Sequence, residues 1–324
     1  HTATQVLGIW SSPKSTDAQQ LKHMIHKGHN WIRRIQKSTL DTQEIWQSFL
    51  TQAIPSVSYG LLTLMSYRQE IDDHFQSWYY KCLLSLGIFW SISTVWRTLP
   101  IEFQGLGLPN MSLNKLAASL TFLQHHWNNH TAIGTALKGT YELCQLEIGL
   151  GNFLGKKFSR HKVLASHSWF KVLWELLDYY KVTLTLTDTI ISPVRHQDHP
   201  LMELIIDNLP RHHWAAFNKV RHFYKVYFMS QITRCDGKSI NPVFMTSRTI
   251  TASSMRLPIE HPTESDFEIW ALGLRSLTSQ TLQLPLPLGH FIRDPYQDTL
   301  WRTTAHSDYV IQSLGQNQHR IYRP

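Results

Sequence analysis

The first forty residues concentrate positive charge on side chains that are spaced to contact phosphates. They contain six lysines or arginines against a single acid, Asp17, and so carry +5 of the formal net charge of +8. On a helix beginning near Asp17, apolar residues form one stripe and cations fall on the opposite side. Those cations are Lys22, Lys27, Arg33, Arg34 and Lys37. The pattern predicts a helix that packs on a core through one face and contacts a phosphate backbone through the other.

Two other interpretations of this helix stay open at the level of sequence. A basic face is also found on helices that bind no partner, and a basic amphipathic helix can lie on an anionic membrane surface. His23, His26 and His29 share the cationic side. Their three-residue spacing drifts around a helix, and no cysteine or carboxylate stands beside them, so we predict no metal site there.

The sequence offers no catalytic constellation. Asp72-Asp73 has the composition of a two-metal carboxylate pair, but it lies in a helical pattern between Ile71 and Phe75, which predicts exposed helical acids. We find no Ser/His/Asp grouping, phosphate-binding loop or dinucleotide-binding glycine run. We therefore assign no catalytic residue, no metal ligand and no cofactor to this chain.

Composition points to a folded intracellular protein with more than one domain. The chain has 324 residues, of which 42% are hydrophobic and only 17% charged. Its three cysteines are far apart and predict no disulfide framework, which suits a reducing compartment. The longest apolar run, between Lys81 and Arg97, is too short to span a membrane. Because the chain begins with His1 rather than Met, we expect a piece of a longer protein.

Apolar periodicity predicts a mainly helical fold. Thr4–Trp10 is typical of a short strand, and the tail from Leu282 predicts further short strands. Residues 15, 16 and 17 are candidate caps for the first helix, and Pro55 is expected to break or kink the second. The predicted helices cover 17–37, 41–54, 67–86, 113–128, 131–148, 168–181, 198–208, 211–230 and 264–278.

Glycine-rich and Ser/Thr/Pro-rich stretches divide the chain into four predicted segments. Residues 1–95 form a helical bundle after an N-terminal strand, and 96–150 hold a Gly-Leu-Gly-Leu linker with helices. Residues 151–246 form a helical domain with short strands, and 247–324 form a linker, a helix and a small β tail. Aromatic residues between Arg211 and Arg234 recur at helical spacing, which favours core packing over base contact.

Two motifs resemble a known family. Trp96-Arg97-Thr98-Leu99-Pro100, followed by Gly105-Leu106-Gly107-Leu108-Pro109, resembles the segment after the thumb in reverse transcriptases of LINE-like (non-LTR) retrotransposons. That segment carries a W…P…GGLGL pattern. Leu7-Gly8-Ile9-Trp10 resembles the short β-hairpin that grips the primer strand after the palm. This chain has Gln104-Gly105 where family members often have two glycines, and the Cys/His zinc motif of many relatives is absent.

The resemblance implies a helical thumb bundle preceded by a short β-hairpin and followed by further helices and a small β-containing region. Leu7, Gly8 and Trp10 would shape the primer grip, and the cations of the first helix would contact an RNA–DNA or RNA duplex. The palm and fingers, with their divalent metal, would precede this chain in the same polypeptide. The alternative is a non-catalytic helical interaction or structural protein derived from a decayed retroelement.

Overall fold

The structure is a computed structural model that describes most of the chain. The described residues are 4–6, 9–11, 17–89, 91–186, 193, 195–234, 236–249, 261–279, 281–289, 299–303, 308–315 and 318–322. They confirm the prediction of a mainly helical protein. They divide into two compact units, the first within 1–137, 157–159 and 167–184, and the second within 138–156, 160–166 and 185–324. The four-segment division stays a prediction.

The helices follow the periodic segments closely. They are α1 (Ala18–Ile35), α2 (Thr42–Ser48), α3 (Ile54–Ser58), α4 (Arg68–Ser85), α5 (Thr94–Thr98), α6 (Met111–His126), α7 (Ala132–Ile148), α8 (Phe158–His161), α9 (Trp169–Tyr180), α10 (Leu201–Asn208), α11 (Trp214–Tyr224), α12 (Val243–Thr246) and α13 (Glu264–Ser276). Strands β1 (Thr4–Val6) and β2 (Ile9–Ser11) pair antiparallel. Strands β3 (Thr299–Thr303), β4 (Asp308–Gly315) and β5 (Gln318–Tyr322) form an antiparallel sheet in that order.

Helix α1 buries the apolar stripe that its sequence predicts. Leu21, Met24, Trp31, Ile32 and Ile35 are all buried in the core of the first unit, together with apolar residues of α4. Burying each large apolar side chain contributes about 1.5–3 kcal/mol, so the stripe rather than helix propensity sets which side of α1 faces inward.

A close approach to α4 fixes the rotation of α1. A Cβ atom at Gly28 would lie 2.3 Å from Nε1 of Trp78, a side chain that is 1% exposed. The Trp78 ring lies 5.8 Å from the ring of Phe49 and 6.3 Å from that of Phe75, so it cannot move away. Only glycine therefore fits at position 28 with the helices at this distance.

The N-terminus of α1 is held by a long-range contact instead of the predicted local cap. Asp17 occupies the N-cap position, but its side chain makes no capping hydrogen bond. Its carboxylate accepts hydrogen bonds from the backbone N–H of Met65 and from Oγ of Ser66. Residues 15 and 16 lie outside the described part of the chain. These two hydrogen bonds replace the local capping bond of Asp17. They tie the start of α1 to the segment before α4.

A buried lysine reinforces that loop. Nζ of Lys115, on α6, donates to the carbonyl oxygens of Leu64 (2.5 Å) and Ser66 (3.2 Å). Burial lowers the pKa of Lys115 to about 8, against the raising effect of the nearby Asp17 carboxylate. Burial likewise raises the pKa of Asp17. Two opposite charges and two carbonyls therefore join the start of α1, the 64–66 loop and α6.

Pro55 does not end the second helix. After α2, the chain makes a π-helical turn over Phe49–Ala53 and continues directly into α3, which carries Pro55 near its start. Proline lacks the N–H that would bond to the carbonyl four residues earlier, and its ring crowds that carbonyl. The wider π turn accommodates this gap without interrupting the helix. The second helical segment consequently runs past residue 54, to Ser58.

The Gly-Leu-Gly-Leu segment folds back onto the residues that precede it. Leu106 N donates to Trp96 O (2.9 Å), and Leu108 N donates to Arg97 O (2.8 Å). Gln104 adopts a left-handed φ of 63°, and a Cβ atom at Gly105 would lie 2.0 Å from the carbonyl oxygen of Leu99. The turn thus needs a left-handed residue followed by one with no side chain.

The second unit is built around buried aromatic residues and the buried arginines Arg195 and Arg221. Its aromatic side chains on α11 are buried, so their predicted role in core packing is confirmed. Arg221 is fully buried and donates to the carbonyl oxygens of Leu146 and Glu147 at the end of α7. Its positive charge suits the negative end of that helix dipole. The predicted helix over 211–230 ends early, because Lys225 adopts a left-handed φ of 53°.

We predict that Gly28→Ala destabilises the protein although alanine favours helices. Alanine gains about 1 kcal/mol of propensity, but the clash with Trp78 costs more, and the free energy of unfolding falls by about 1–3 kcal/mol. Gly139→Ala is the control, because a Cβ atom there meets nothing within 4 Å and should stabilise α7. Urea denaturation followed by circular dichroism compares them. Equal stability of the two variants would contradict the proposed α1–α4 constraint.

Candidate nucleic-acid interface

The side of α1 opposite the buried stripe carries the predicted cations. Lys22, Arg33, Arg34 and Lys37 are exposed, and Lys27 is half-buried. Lys37 lies in the turn just after the helix end. None of these five side chains forms an ion pair with a carboxylate within the part of the chain that the structure describes. We call Lys22, Lys27, Arg33, Arg34 and Lys37 the cationic face.

The contacts that these cations do make are with neutral groups. Nζ of Lys27 lies 6.0 Å from the ring centroid of Tyr59, and Nη2 of Arg33 donates to Oδ1 of Asn30. A ring face or an amide oxygen orients a cation without neutralising it. The cationic face therefore keeps its net positive charge toward solvent, as binding to a polyanion requires.

The positively charged surface around α1 extends beyond the cationic face. At 100° per residue, Lys22 and Arg33 project toward one edge of α1, and Lys27 and Arg34 project toward the other. At the first edge the positive charge of Lys81, on α4, is near enough to His29 to lower the pKa of its imidazole. Lys81 is exposed and belongs to a helix that packs directly on α1. Sequence reasoning missed it, because nothing local links it to a helix fifty residues earlier.

The three histidines are part of this surface. Partial burial lowers the pKa of His23, and the charges of Lys27 and His26 lower it further. Burial is also the largest cause of the lowered pKa of His29, followed by Lys81, Arg33 and His26. At any given pH these two imidazoles therefore carry less charge than an unperturbed histidine, and they gain charge as the pH falls. Across the described residues, no group of three or more His, Cys, Asp or Glu is placed to hold a metal ion.

The N-terminal candidates are less well defined. Leu7 and Gly8 lie outside the described residues, and Trp10 is described only as a backbone position of β2. Their role in a primer grip stays a prediction. By contrast, the prediction that Asp72 and Asp73 are helical acids is confirmed. Both lie within α4, where Asp72 pairs with Arg68 (2.7 Å) and Asp73 accepts from Gln69 (2.7 Å).

Comparison with protein-family models, curated proteins and solved structures finds no match for this chain. No helix among the described residues is long and apolar enough to cross a membrane.

We predict that polyanion binding by this surface strengthens as the pH falls. Protonation of His23 and His29 adds positive charge beside the cationic face, and their lowered pKa values move that gain below the ordinary histidine value of about 6.5. The salt concentration needed for elution from immobilised heparin should therefore rise as the pH is lowered from about 7.5 into the acidic range. Replacing both residues by glutamine should reduce that rise. Glutamine at His125 and His130, which are exposed, is the control. An undiminished rise in the His23 and His29 double variant would contradict this assignment.

Proposed function

We propose that this chain is the thumb and C-terminal region of a LINE-like reverse transcriptase. In this proposal the cationic face holds an RNA–DNA or RNA duplex for a catalytic centre in the palm, which precedes the chain in the same polypeptide with the fingers. The observation that carries the proposal is the division of α1. The helix buries its apolar stripe, and its other side and the turn after it carry five exposed or half-buried cations that pair with no described carboxylate.

Such a surface suits a duplex because duplex phosphates are regularly spaced and carry no sequence information. Lysine and arginine contacts to phosphates fix the register of the protein on the duplex without reading its bases. Each contact also releases condensed counterions, so affinity falls steeply with added salt. The divalent metal belongs to the palm in this proposal, and the chain itself performs binding and positioning but no catalytic step.

The turn after α5 supports the same assignment. The family's paired glycines correspond to Gln104 and Gly105, and these two positions have different requirements. Position 104 needs a left-handed backbone, which a glutamine adopts at a cost of about 1–2 kcal/mol. At position 105 any side chain would clash with the carbonyl oxygen of Leu99, so only glycine fits there. The chain therefore retains glycine at the position where a replacement would clash.

The finer parts of the proposal concern the two ends of the chain. The β1–β2 pair directly precedes α1, where a primer-grip hairpin would lie, with Leu7, Gly8 and Trp10 shaping the grip. The strands after residue 298 would form the small β-containing region that follows the thumb and the later helices.

A second candidate function is a protein-interaction module derived from a decayed retroelement. It is favoured by the exposed apolar side chains around the turn after α5. Val95, Trp96, Ile101 and Phe103 are between 48% and 67% exposed, which is unusual for four large apolar residues so close together in sequence. This function needs no nucleic acid, so a duplex-binding measurement separates the two candidates.

We predict that Arg33→Ala and Arg34→Ala each weaken binding to duplexes of any sequence. Each lost phosphate contact should flatten the slope of log affinity against log salt by about 0.9, in filter-binding titrations with an RNA–DNA duplex. Arg275→Ala, which removes an exposed arginine of α13, is the control and should keep the original slope. An unchanged slope in both α1 variants, or no salt-dependent binding at all, would favour the protein-interaction module.

A further inference from the structure

A cleft of about 460 Å³ lies beside α1, between its C-terminal half and the helical segment formed by α2, the π turn and α3. We call it the α1–π cleft. Its volume is within the range of about 300–1,000 Å³ that is typical of small-molecule sites. Nothing in the amino-acid pattern of α1 alone predicts it, because four of its eleven lining residues come from the second helical segment.

Two polar rows face each other across the α1–π cleft. Lys27 and Arg34 line one wall, seven residues and therefore about 10.5 Å apart along the helix axis, with Asn30 between them. Ser48, Gln52 and Ser56 line the opposite wall. The two walls thus offer cations on one side and hydroxyl and amide groups on the other.

The floor of the cleft is apolar and rigid. Trp31, Ile35 and Ala53 contribute to it, and all three belong to the buried core of the first unit. Nε1 of Trp31 donates to Oγ of Ser48 at 3.0 Å, which locks the indole against the second wall. A flat apolar group lying on this floor would therefore meet a preformed surface.

The charge of the cleft is purely positive among its described lining residues, which include no carboxylate. The acids nearest in sequence, Asp41 and Glu44, form a reciprocal capping box at the start of α2. One oxygen of each carboxylate accepts a hydrogen bond from the backbone N–H of the other residue, and neither residue lines the cleft. An anionic ligand would consequently meet two cations with no carboxylate competing for them.

The π turn is an independent sign that this wall is specialised. Gln52 lies within Phe49–Ala53, and π turns are rare in proteins and are frequent at functional sites. Pro55 explains how the turn arises, as described above. The consequence is that Gln52 is displaced from regular helical spacing on the wall that faces Lys27 and Arg34.

The geometry points to the α1–π cleft as a binding site for a single nucleotide. Its phosphate lies between Lys27 and Arg34, its sugar and base edge meet Asn30 and Gln52, and its base lies on the apolar floor. The nucleotide is either free in solution or an unpaired unit of a strand whose duplex part lies on the cationic face. The site shares Lys27 and Arg34 with the cationic face, whereas Lys22, Arg33 and Lys37 do not line it and would contact duplex alone.

The test compares neighbouring residues of which only one lines the cleft. Arg34→Ala removes a lining cation, and Arg33→Ala removes the adjacent arginine, which is outside the lining. Gln52→Glu places a carboxylate opposite the two cations, and Gln47→Glu makes the same charge change on α2 outside the cleft. All four side chains are exposed, so these variants should fold, and circular dichroism checks that they do.

The probes are adenosine 5′-monophosphate, adenosine, and RNA–DNA duplexes with blunt ends or a single-stranded overhang, measured by isothermal titration calorimetry. We expect the monophosphate to bind and adenosine to bind far more weakly. Arg34→Ala and Gln52→Glu should weaken monophosphate binding at least about tenfold, while Arg33→Ala and Gln47→Glu leave it nearly unchanged. If the nucleotide in the cleft belongs to a strand, the monophosphate fails to bind. The overhang duplex then binds better than the blunt one and loses that advantage in the Arg34→Ala and Gln52→Glu variants.

Two results would overturn the inference. One is equal weakening by Arg33→Ala and Arg34→Ala, or by Gln47→Glu and Gln52→Glu, which would show a general charge effect. The other is the absence of binding by the monophosphate together with equal binding of blunt and overhang duplexes. Failure of the proposed function looks different, because blunt duplex would then show no salt-dependent binding, whatever happens with the monophosphate.

Discussion

The contact between Gly28 and Trp78 is the constraint on which the surface of the first unit depends. With no side chain at position 28, α1 approaches α4 closely enough for the buried indole to lie against its backbone. That distance and the apolar stripe leave α1 one rotation about its axis. The same rotation turns the cations of α1 to the side away from the core, places His29 near Lys81, and brings Lys27 and Arg34 to the edge that faces Gln52.

Cations have two distinct uses in this chain. Lys115 and Arg221 are buried, and their N–H groups are satisfied by carbonyl oxygens at a loop and at a helix end, so they hold elements together. The cations of α1 have neutral partners or exposed positions, so their charge stays available to a ligand. The contrast separates structural from binding residues on physical grounds, since only an unneutralised charge attracts a polyanion through water.

Local pattern predicted the helices and the two faces of α1, because a period of 3.6 residues directly encodes which side is buried. The capping box that begins α13, formed by Thr263 and Asp266, likewise depends on residues three apart in the chain. What the sequence did not reveal depends on contacts distant in the chain. Asp17 accepts hydrogen bonds from the 65–66 loop instead of from its own helix. Lys81 extends the positive surface of α1 although it belongs to α4. The α1–π cleft depends on a π turn, which Pro55 permits but does not by itself specify.

Lysine acetylation with and without an RNA–DNA duplex measures whether the outward side of α1 holds the duplex as proposed. Bound duplex should protect Lys22, Lys27 and Lys37 from acetylation, as read by mass spectrometry. Lys181, whose side chain is 80% exposed at the end of α9, should be acetylated equally in both samples. Equal acetylation of all four lysines in the two samples, or protection of Lys181 alone, would rule out the proposed contact.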